Sequence, residues 1–523
     1  MAWEKLAMRP GYLVLGALVA FLVHYFVRKA MVDRRIRQLG AVRAPRIAGN
    51  PFSALVWFIR AGRKQMSNDL LALFDSIYED ATPASPNCVE ISVAPSMRFL
   101  MTREPAHVKA MLTGKFSDFG KGPKFHEVWS PFLGDSIFTT DGARWHDSRA
   151  LIRPMFVRNR VRDLDIFDRW MNVLLGKLPE PGGTVDVMDL FYRMTLDVTT
   201  DFLLGHSVNS LDNPNNDFSR AFTDVQRVQM MLTVMAHSFV PTKKYYAGIK
   251  VIERFMMPFI EQALALPPSE LEKLSSPDSN SNREVTFLHS IARYSRDPKV
   301  IRDQIMAVLL AGRDTTAATL SWCVYELSRS PATVARLRAE MASVTGGRRP
   351  TYEDLKAMTY LRHTLDETLR LYPAVPYNIR AAVEDTTLPA PAPAGGPGGQ
   401  EIAVLKGDVV VYSALSMQRR ADLYPPAGPG FPDPAVFCPD RWDRWTPRPW
   451  TYVPFNGGPR ICVGQNFAMT EMAYCLVLLL QKYDRIEYRG DWHAQFYKAE
   501  IVGAPGQGVP VAFFEGEDGV AAA

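Results

Sequence analysis

Apolar residues recur every three to four positions along most of residues 69–344. Residues 161–178 and 218–264 show this spacing clearly, and it predicts amphipathic helices. Alternating or β-branched runs are short and occupy residues 89–93, 402–412 and 500–514. Short strands of this kind predict small sheets beside a helical core. The pattern therefore predicts a mainly α-helical fold with small β-sheets, of the α+β class.

A continuous apolar segment lies near the start of the chain. Residues 11–27 contain His24 as their one ionisable side chain, and a helix of this length just spans a thin bilayer. The basic residues that follow outnumber those that precede it, and they are Arg28, Lys29, Arg34, Arg35 and Arg37. Positive charge marks the cytosolic side of a membrane helix. We therefore expect a single transmembrane helix with the rest of the chain in the cytosol.

The alternative for this segment is a cleaved signal peptide. Such a peptide carries its basic residues before the apolar stretch and ends in small residues at the cleavage site. Here the basic residues follow the apolar stretch directly, which favours a retained anchor. The prediction is an N-terminal anchor with its basic flank in residues 1–38 and one large domain in residues 39–523.

Two segments rich in polar residues, proline or glycine, residues 267–282 and 389–400, predict surface loops. Residues 230–257 are rich in Met, Phe, Val and Tyr. They either pack in the core, where Met fills irregular gaps, or line a hydrophobic mouth near a bilayer. Core packing is the favoured interpretation.

The composition limits the classes of function. With 47% hydrophobic and 22% charged residues, the chain can bury a large core. A formal charge of +5 and the absence of a long basic run with interleaved aromatic residues make nucleic acid an unexpected partner. The five cysteines are odd in number and lack zinc-site or redox-pair spacing, which favours a reducing compartment.

One cysteine lies in a setting suited to metal binding. Residues 455–464 read F-N-G-G-P-R-I-C-V-G and precede a predicted helix over residues 465–482. A helix N-terminus lowers the pKa of a nearby thiol, so Cys462 is a candidate thiolate ligand. Phe455 can shield the sulfur from water, and Arg460 can pair with a carboxylate on the rim of a macrocycle. Glycines, including Gly464, let the backbone turn tightly and approach a flat ring.

This decapeptide resembles the signature of the cytochrome P450 superfamily. The resemblance implies the cytochrome P450 fold, preceded here by the transmembrane helix, and a heme (iron protoporphyrin IX) whose iron takes Cys462 as its axial ligand. A thiolate ligand increases electron density at the iron and favours cleavage of the oxygen–oxygen bond. The domain of residues 39–523 is then a heme-thiolate catalytic domain.

Motifs upstream match the same superfamily. Glu367 and Arg370 form its Glu-x-x-Arg pair, and Arg441 is the second arginine, which lies in Pro439-Asp440-Arg441-Trp442. The superfamily usually has Glu and Phe where this chain has Asp440 and Trp442. The resemblance implies that Glu367, Arg370 and Arg441 hold the heme-binding core together.

A long helical run is predicted over residues 301–330, and its centre reads A-G-R-D-T-T. Gly and consecutive Thr weaken a helix centre, which predicts a local widening. The resemblance makes this the oxygen-binding helix, in which Asp314 and Thr315 deliver protons to bound O2. It also implies that Trp145, Arg149 and Arg380 bind the heme carboxylates.

The resemblance implies a monooxygenase that inserts one oxygen atom from O2 into a C–H bond. No Gly-x-Gly-x-x-Gly unit in a βαβ context indicates a fused flavin or nicotinamide domain, so the electrons are expected from NADPH through a separate reductase. The expected location is the endoplasmic reticulum membrane, with a single span and a cytosolic catalytic domain.

Residues 134–155, 367–381 and 454–471 are similar to the fungal microsomal alkane and fatty-acid hydroxylases. Gln418 departs from that group, which commonly has His there. The expected reaction is terminal or near-terminal hydroxylation of a long aliphatic chain. The alternatives left open are a tailoring oxidation of a polyketide or terpenoid in secondary metabolism, a heme-thiolate isomerase or dehydratase, and a heme-binding sensor without turnover.

Overall fold

Helices dominate the computed structural model, which describes residues 10–79, 85–94, 97–156, 164–234, 240–274, 286–390, 399–428 and 431–516. The chain forms two compact units, one of residues 1–120 and 378–413 and the other of residues 121–377 and 414–523. The mainly helical fold with small sheets is confirmed. The predicted boundary after residue 38 stays a prediction.

The first unit carries the N-terminal helices and the largest sheet. Its helices are α1 (Pro10–Gln38), α2 (Pro51–Met66), α3 (Leu70–Ser76) and α4 (Pro105–Lys109). Its strands are β1 (Arg46–Ala48), β2 (Cys88–Ala94), β3 (Met97–Thr102), β4 (Phe119–Gly120), β6 (Tyr377–Ala382), β7 (Thr386–Leu388), β8 (Ile402–Val404) and β9 (Val409–Ser413). Strand β5 (Thr184–Asp186) belongs to the second unit.

Six strands of this unit form one sheet in the order β1-β2-β3-β9-β6-β4, and β7 pairs with β8 in a second. In the larger sheet β2 and β3 are antiparallel, with Ile91 opposite Phe99. β9 runs parallel to β3. Gly407 makes the turn between β8 and β9 with a φ of +91°, which glycine adopts readily. The strands predicted at residues 89–93 and 402–412 are therefore present.

The second unit is a helical mass with two small sheets. Its helices are α5 (Pro123–Leu133), α6 (Gly142–Ile152), α7 (Asp165–Leu175), α8 (Val187–Leu204), α9 (Asp217–Val234), α10 (Lys243–Ala265), α11 (Pro268–Leu274), α12 (Phe287–Tyr294), α13 (Pro298–Leu327), α14 (Pro331–Thr345), α15 (Tyr352–Ala357), α16 (Thr359–Leu371), α17 (Ala414–Gln418) and α18 (Gln465–Lys482). Its strands are β5 (Thr184–Asp186), β10 (Arg485–Tyr488), β11 (Tyr497–Ala499), β12 (Gly503–Pro505) and β13 (Pro510–Phe514).

α13 is buried on nearly all sides within this unit, and most of its buried side chains are apolar or small. It begins after Asp297, whose carboxylate accepts a hydrogen bond from the N–H of Lys299, and Pro298 fits the first turn. The surrounding core draws on α5, α8, α9, α10 and α12, with buried side chains such as Phe222 and Ile305. α13 is α-helical without interruption, so the predicted local widening is not seen.

Most predicted helices are found with shifted bounds. The run at residues 218–264 is two helices, α9 and α10, and residues 235–239 between them lie outside the described residues. Residues 161–163 of another predicted helix also lie outside them, as do residues 275–285 and 391–398 of the two predicted loops. The other difference is α11, a helix in a predicted loop, because Pro268 suits a first helical turn and Glu270 complements its dipole.

The segment 230–257 is largely core in its described part. Leu232, Tyr245, Ile249, Ile252 and Met256 are all buried in the helical core of the second unit. This supports the packing interpretation over a hydrophobic mouth.

Candidate active site

The loop before α18 folds back on itself at the candidate ligand. The N–H of Cys462 donates to the carbonyl of Phe455 at 2.9 Å, and Gly458–Arg460 form one turn of 3-10 helix between them. Gly458 has a φ of +62°, a region that favours glycine. A Cβ on Gly457 would lie 2.5 Å from the ring of Trp450. These two glycines are therefore required by the loop itself.

Gly464 has a different environment from these two glycines. It caps the N-terminus of α18 with a φ of −92°, and a Cβ there would meet Phe156 only at 3.8 Å. Among the described residues, no side chain or backbone atom excludes a larger residue at this position. That Gly464 allows a close approach by a flat ring stays a prediction.

Cys462 differs from the other cysteines in its exposure. Cys88, Cys323 and Cys475 are buried and Cys438 is half-buried, whereas Cys462 is exposed. A free cysteine usually behaves as a small buried apolar side chain. The exposed sulfur of Cys462 is thus available to a ligand.

The electrostatics of this sulfur differ from the prediction. Although Cys462 has accessible surface, the protein atoms around its thiol desolvate the thiolate form and raise the pKa of Cys462, whereas the backbone N–H of Gly464 and the guanidinium of Arg149 lower it. The prediction that the end of α18 lowers the pKa was right about this contribution and wrong about the net direction, because desolvation is larger. Coordination to a metal ion ionises a thiol outright, so a bound iron would determine the charge.

The centre of α13 exposes a small patch in an otherwise buried helix. From Ile301 to Leu327 every residue is buried except Ala311, Gly312 and Thr315. The hydroxyl of Thr315 donates to the carbonyl of Ala311 at 2.7 Å. Positions i, i+1 and i+4 share one helix face. The accessible hydroxyl therefore stands among small residues that leave room beside it.

Gly312 also packs closely against α8. A Cβ at this position would lie 2.9 Å from the Thr199 hydroxyl. The hydroxyl of Thr195, one turn earlier, donates to the carbonyl of Arg313 at 2.8 Å. The glycine in A-G-R-D-T-T thus lets two helices approach, in addition to leaving space beside Thr315.

Asp314 lies away from the accessible patch. It is 4% exposed, its carboxylate accepts from Arg313 at 3.0 Å, and it also bonds to the side chain of Gln226. Burial raises the pKa of Asp314, and the charge of Arg313 opposes that rise. No hydrogen bond joins Asp314 to Thr315 among the described residues. Their joint role in proton delivery stays a prediction.

Two motifs distant in sequence meet beside α6. Trp145 and Arg149 share one face of this helix, with the Arg149 guanidinium 5.9 Å from the Trp145 ring centre. The Arg460 guanidinium lies 4.7 Å from the same ring. Arg149 is also close enough to Cys462 for each charge to affect the other's pKa. The structure thus brings these four predicted residues together.

Arg460 has a protein partner that was not predicted. Its guanidinium donates to Asp141 at 2.6 Å and to the carbonyl of Thr140 at 3.0 Å. Asp141 also accepts from the backbone N–H of Lys121 at 2.7 Å. The expected heme carboxylate would therefore share Arg460 with Asp141.

Arg380 lies on β6. It is 2% exposed, its Nη1 donates to the carbonyl of Ile379 at 2.9 Å, and its guanidinium lies 5.9 Å from the ring centre of Tyr412. Its assignment to a heme carboxylate stays a prediction.

The predicted structural triad is assembled. Arg370 donates to both oxygens of Glu367, at 2.7 Å and 2.9 Å, and Arg441 donates to Glu367 at 3.3 Å. The indole N–H of Trp442 adds a bond to Glu367 at 3.0 Å, and the N–H of Cys438 adds one at 2.9 Å. Trp442, which departs from the usual motif, is therefore a fourth partner of the buried carboxylate.

Gln418 connects this cluster to the cysteine loop. Its amide N–H donates to the carbonyls of Leu369 and Arg370, both at 3.1 Å, and its Oε1 accepts from the N–H of Val453 at 2.9 Å. Val453 lies just before the loop that holds Cys462. The sequence comparison marked Gln418 as a departure, and its bridging role was missed.

Glu471 was also missed. It lies on α18 at 2% exposure and bonds to the hydroxyl of Thr316, next to Thr315 on α13. Burial raises its pKa to about 8, and the bond from Thr316 opposes that rise. The signal was a lone carboxylate within the apolar run of residues 469–480.

The arrangement fits a heme. No group of three or more His, Cys, Asp or Glu side chains that could hold a metal ion is found in the described part of the chain. A porphyrin supplies the other ligands of an iron that is held by a single cysteine. The cations of Arg149 and Arg460, beside the indole of Trp145, match the carboxylates on its rim.

Known proteins give independent findings. The family model described as Cytochrome P450 matches residues 86–499. The chain is 47% identical to Cytochrome P450 monooxygenase pvhE of Talaromyces variabilis, over 80% of each chain. It is 38% identical to Cytochrome P450 52A1 of Candida tropicalis, over 74% of this chain and 72% of that one.

A solved structure, titled crystal structure of cytochrome P450DA heme domain, matches with a TM-score of 0.67. It covers 85% of this chain and 92% of its own, and its 22% identity supports the fold alone.

Proposed function

The chain belongs to the cytochrome P450 family and is a heme monooxygenase, and from this premise we propose that it hydroxylates a long aliphatic chain, a fatty acid or alkane, at or near its end. The observation that carries the chemistry is the one exposed cysteine, Cys462, beside the cluster of Trp145, Arg149 and Arg460. The substrate class rests on the similarity of residues 134–155, 367–381 and 454–471 to fungal alkane and fatty-acid hydroxylases.

Each residue has a proposed role around the heme. Cys462 is the iron ligand, and Arg149, Arg460 and Trp145 hold the heme carboxylates. When bound, the heme supplies activation of O2 and insertion of one oxygen atom into the substrate. Thr315 holds a proton at its accessible hydroxyl, and Asp314 supplies it from the buried side of α13.

The small side chains of Ala311 and Gly312 fit an aliphatic substrate. Together with Thr315 they are the accessible face of α13. These small residues leave room beside the Thr315 hydroxyl, and a methylene chain fits against such an apolar face. The same face excludes water from an alkyl chain once that chain is bound.

We further propose that electrons come from NADPH through a separate membrane-bound flavin reductase. α1 is long and apolar enough to span a membrane, and nearly all of its apolar part is exposed. The basic flank after its apolar part supports an orientation with the catalytic domain on the cytosolic face of the endoplasmic reticulum.

Reconstitution tests the substrate class. The full-length chain, NADPH reductase and lipid are incubated with fatty acids, alkanes, and cyclic polyketides and terpenoids, and NADPH use and products are measured. We expect hydroxylation near the end of an aliphatic chain. Oxidation of cyclic substrates alone would favour the alternative of a tailoring enzyme. These substrates belong in the screen because the chain is more similar to monooxygenase pvhE, at 47% identity, than to Cytochrome P450 52A1, at 38%. Turnover of hydroperoxides without NADPH would favour an isomerase.

Substitution of the ligand tests the heme site. Cys462→Ala is expected to abolish the long-wavelength Soret band of the reduced carbon-monoxide complex, because that band requires a thiolate ligand. Cys438→Ala is the matched control, since Cys438 is half-buried and its side chain is not placed at the site. An unchanged band in Cys462→Ala would remove this residue as the ligand.

A further inference from the structure

Oxidisable aromatic rings form one continuous row in the second unit. They come from α13, the residue after α16, β10, the turn after β10 and β11, and they are Trp322, Tyr325, Tyr372, Tyr488, Trp492 and Tyr497. Tryptophan and tyrosine lose a single electron far more readily than phenylalanine does, because their rings carry a nitrogen or an oxygen atom. A row made of these two residue types can therefore carry electrons.

The inner end of the row is a stack of rings beside α13. The ring centres of Trp322 and Tyr372 lie 4.0 Å apart, and the two planes are 5° from parallel. The ring of Tyr497 lies 5.8 Å from that of Trp322 with the planes at 10°. Stacked rings at such distances are in direct contact. An electron can therefore pass between them without crossing another side chain.

The outer end of the row reaches the protein surface. The ring centre of Tyr325 lies 5.6 Å from that of Trp322 and 5.0 Å from that of Trp492. Tyr488 contacts both Tyr325, at 5.3 Å, and Trp492, at 4.2 Å. Trp322 and Tyr325 are 2% and 4% exposed, whereas Tyr488 and Trp492 are half-buried. The row thus leads from the interior of the unit to solvent.

The inner end lies on the same side of α13 as the accessible patch. Trp322 follows Thr315 by two helix turns, roughly 10 Å along the axis, and residues at this spacing share one helix face. Ala318 lies between them on that face and packs with Ala374, two residues after Tyr372. The stack of Trp322 and Tyr372 is therefore close to the proposed place of oxygen chemistry beside Thr315.

Tyr372 has a proton acceptor in place. Its hydroxyl donates to the carboxyl group of Glu326, which is 7% exposed. A tyrosine that loses an electron becomes a strong acid, so its proton passes to such a partner and returns when the ring is reduced. The N–H of Trp322 donates instead to the carbonyl of Gly503 at 3.3 Å, and a carbonyl does not take the proton. Trp322 therefore loses an electron alone.

A phenylalanine cluster in the same unit shows the contrast. Five phenylalanines are in ring contact near the first turn of α18, and they are Phe156, Phe167, Phe202, Phe287 and Phe467. These rings pack without any polar group. The row instead encloses the hydroxyls of Tyr372 and Tyr497 and the N–H of Trp322, and each needs a hydrogen-bond partner. Packing alone does not explain a row without phenylalanine.

We propose that the row is an electron path that protects the heme site: when activated oxygen meets no substrate, electrons pass inward from Trp492 through Tyr325 and Trp322 and reduce it to water. A heme supports one-electron chemistry as well as oxygen insertion, so it can accept electrons singly. The proposal goes beyond hydroxylation. It rests on the proposed heme site and not on the proposed aliphatic substrate.

The electrons come from a soluble thiol at the surface. Two thiols lose two electrons and two protons as they form one disulfide bond, and the unused oxygen atom takes up both to leave as one water molecule. Trp492 is the entry point because its ring is partly exposed. The guanidinium of Arg329 lies 4.6 Å from the centre of that ring. This cation favours loss of the indole proton to water when Trp492 is oxidised, and the proton returns when the thiol reduces the ring.

Radical trapping on the full-length holoprotein tests the path. The protein is mixed with hydrogen peroxide without substrate, rapidly frozen and examined by electron paramagnetic resonance. Ring-deuterated tyrosine or tryptophan, incorporated in separate preparations, shows which residue type carries the radical. We expect both types, and Trp322→Phe should lower the tryptophanyl signal several-fold while a tyrosyl signal remains. An undiminished tryptophanyl signal in this variant would overturn the proposal.

Trp445→Phe is the matched control. Trp445 is half-buried like Trp492 and lies in a separate cluster with Trp442 and Tyr424. Its substitution should leave the tryptophanyl signal as in the original protein, and a fall equal to that in Trp322→Phe would overturn the path.

Heme content and the carbon-monoxide band are measured first in every protein. A chain without that band would overturn the heme site itself. A chain that has the band and forms no radical overturns the path alone.

Trp492→Phe tests the outer end, where a substitution disturbs the core least. Peroxide is added without substrate, in the presence or absence of glutathione, and the surviving heme is followed by absorbance. Glutathione should extend heme survival several-fold more in the original protein than in Trp492→Phe. Direct reaction of glutathione with peroxide is equal in the two samples and cancels. Equal extension in both proteins would exclude Trp492 as the entry point and overturn the proposal.

Discussion

Two buried carboxylates on neighbouring helices of the second unit are held in opposite ways. Glu367 on α16 receives hydrogen bonds from Arg370, Arg441, Trp442 and a backbone N–H. Glu471 on α18 bonds only to Thr316 among the described residues, and its Oε1 has no hydrogen-bond partner there. Glu367 belongs to the structural triad, whereas Glu471 lies beside the helix that carries Thr315.

This difference in hydrogen-bond partners relates to whether each buried carboxyl group carries a charge. A carboxylate with guanidinium partners can remain ionised inside a protein, and it then links the segments that supply those partners. A carboxyl group with one hydroxyl partner is kept neutral, as the raised pKa of Glu471 indicates. Pairing therefore decides whether a buried acid acts as a fixed charge or as a group that holds a proton.

The largest effect is expected for Glu367→Gln. The substitution keeps the shape and leaves Arg370 and Arg441 as buried charges without a carboxylate. We expect a loss of about 3 to 5 kcal/mol in the free energy of unfolding and a reduced heme content. Urea unfolding and the ratio of heme to protein measure both.

The matched control is Glu515→Gln, since Glu515 is 44% exposed and lies 3.8 Å from Lys482. Its expected loss is at most about 1 kcal/mol. Equal losses in the two variants would show that the triad does not hold the core.

Thr315→Ala is expected to have the next largest effect, on catalysis instead of stability. Without its hydroxyl, proton delivery slows and more O2 leaves as hydrogen peroxide. We expect product per NADPH to fall by about a hundredfold, the lower end for a positioned proton donor. Product and peroxide are measured in the reconstituted system. Thr315→Ser should restore most of the coupling, and identical coupling in all three proteins would remove Thr315 from the proton path.

Glu471→Gln tests, through the pH dependence of stability, whether Glu471 differs from Glu367 in holding a proton. The folded pKa of Glu471 is about 8, against an ordinary value of 4.5, so the native state retains a proton that the unfolded state loses. Stability from this group therefore falls as pH rises from about 4.5 to about 8 and is constant above that. The glutamine variant should lack this slope, so its stability relative to the original protein should rise with pH across the window.

Melting temperatures between pH 5 and pH 9 measure this slope. Parallel curves for the variant and the original protein would show that Glu471 is ionised in the folded state at neutral pH.

Thr316→Val should have the smallest effect. It removes the hydroxyl that partly offsets the burial of Glu471, so the pKa of Glu471 should rise further and the pH window should extend upward. The expected loss of stability is about 1 kcal/mol, the net worth of one hydrogen bond. An unchanged pH profile would mean that Thr316 does not contact the carboxyl group in solution.

The sequence predicted the residues of the candidate site better than it predicted the side chains that form hydrogen bonds around them. The loop of Cys462 and the bounds of α18 follow from local motifs, because each motif encodes its own turn or helix. The meeting of Glu367 and Arg370 with Arg441 was implied by the family resemblance. The partners Asp141, Trp442 and Gln418 could not be predicted, since they come from distant segments and depend on how the helices pack. The net pKa of Cys462 was missed for a related reason, because desolvation depends on the whole fold.

The end of α1 has a practical consequence for work in solution. A shortened protein that starts after residue 38 would lose Val32 and Ile36, and it would leave Ala403 and Leu405 exposed to water. Asp385 and Arg43 would also lose the ion-pair partners that α1 provides. A soluble form prepared for crystallisation should therefore retain the chain from Met31 onward.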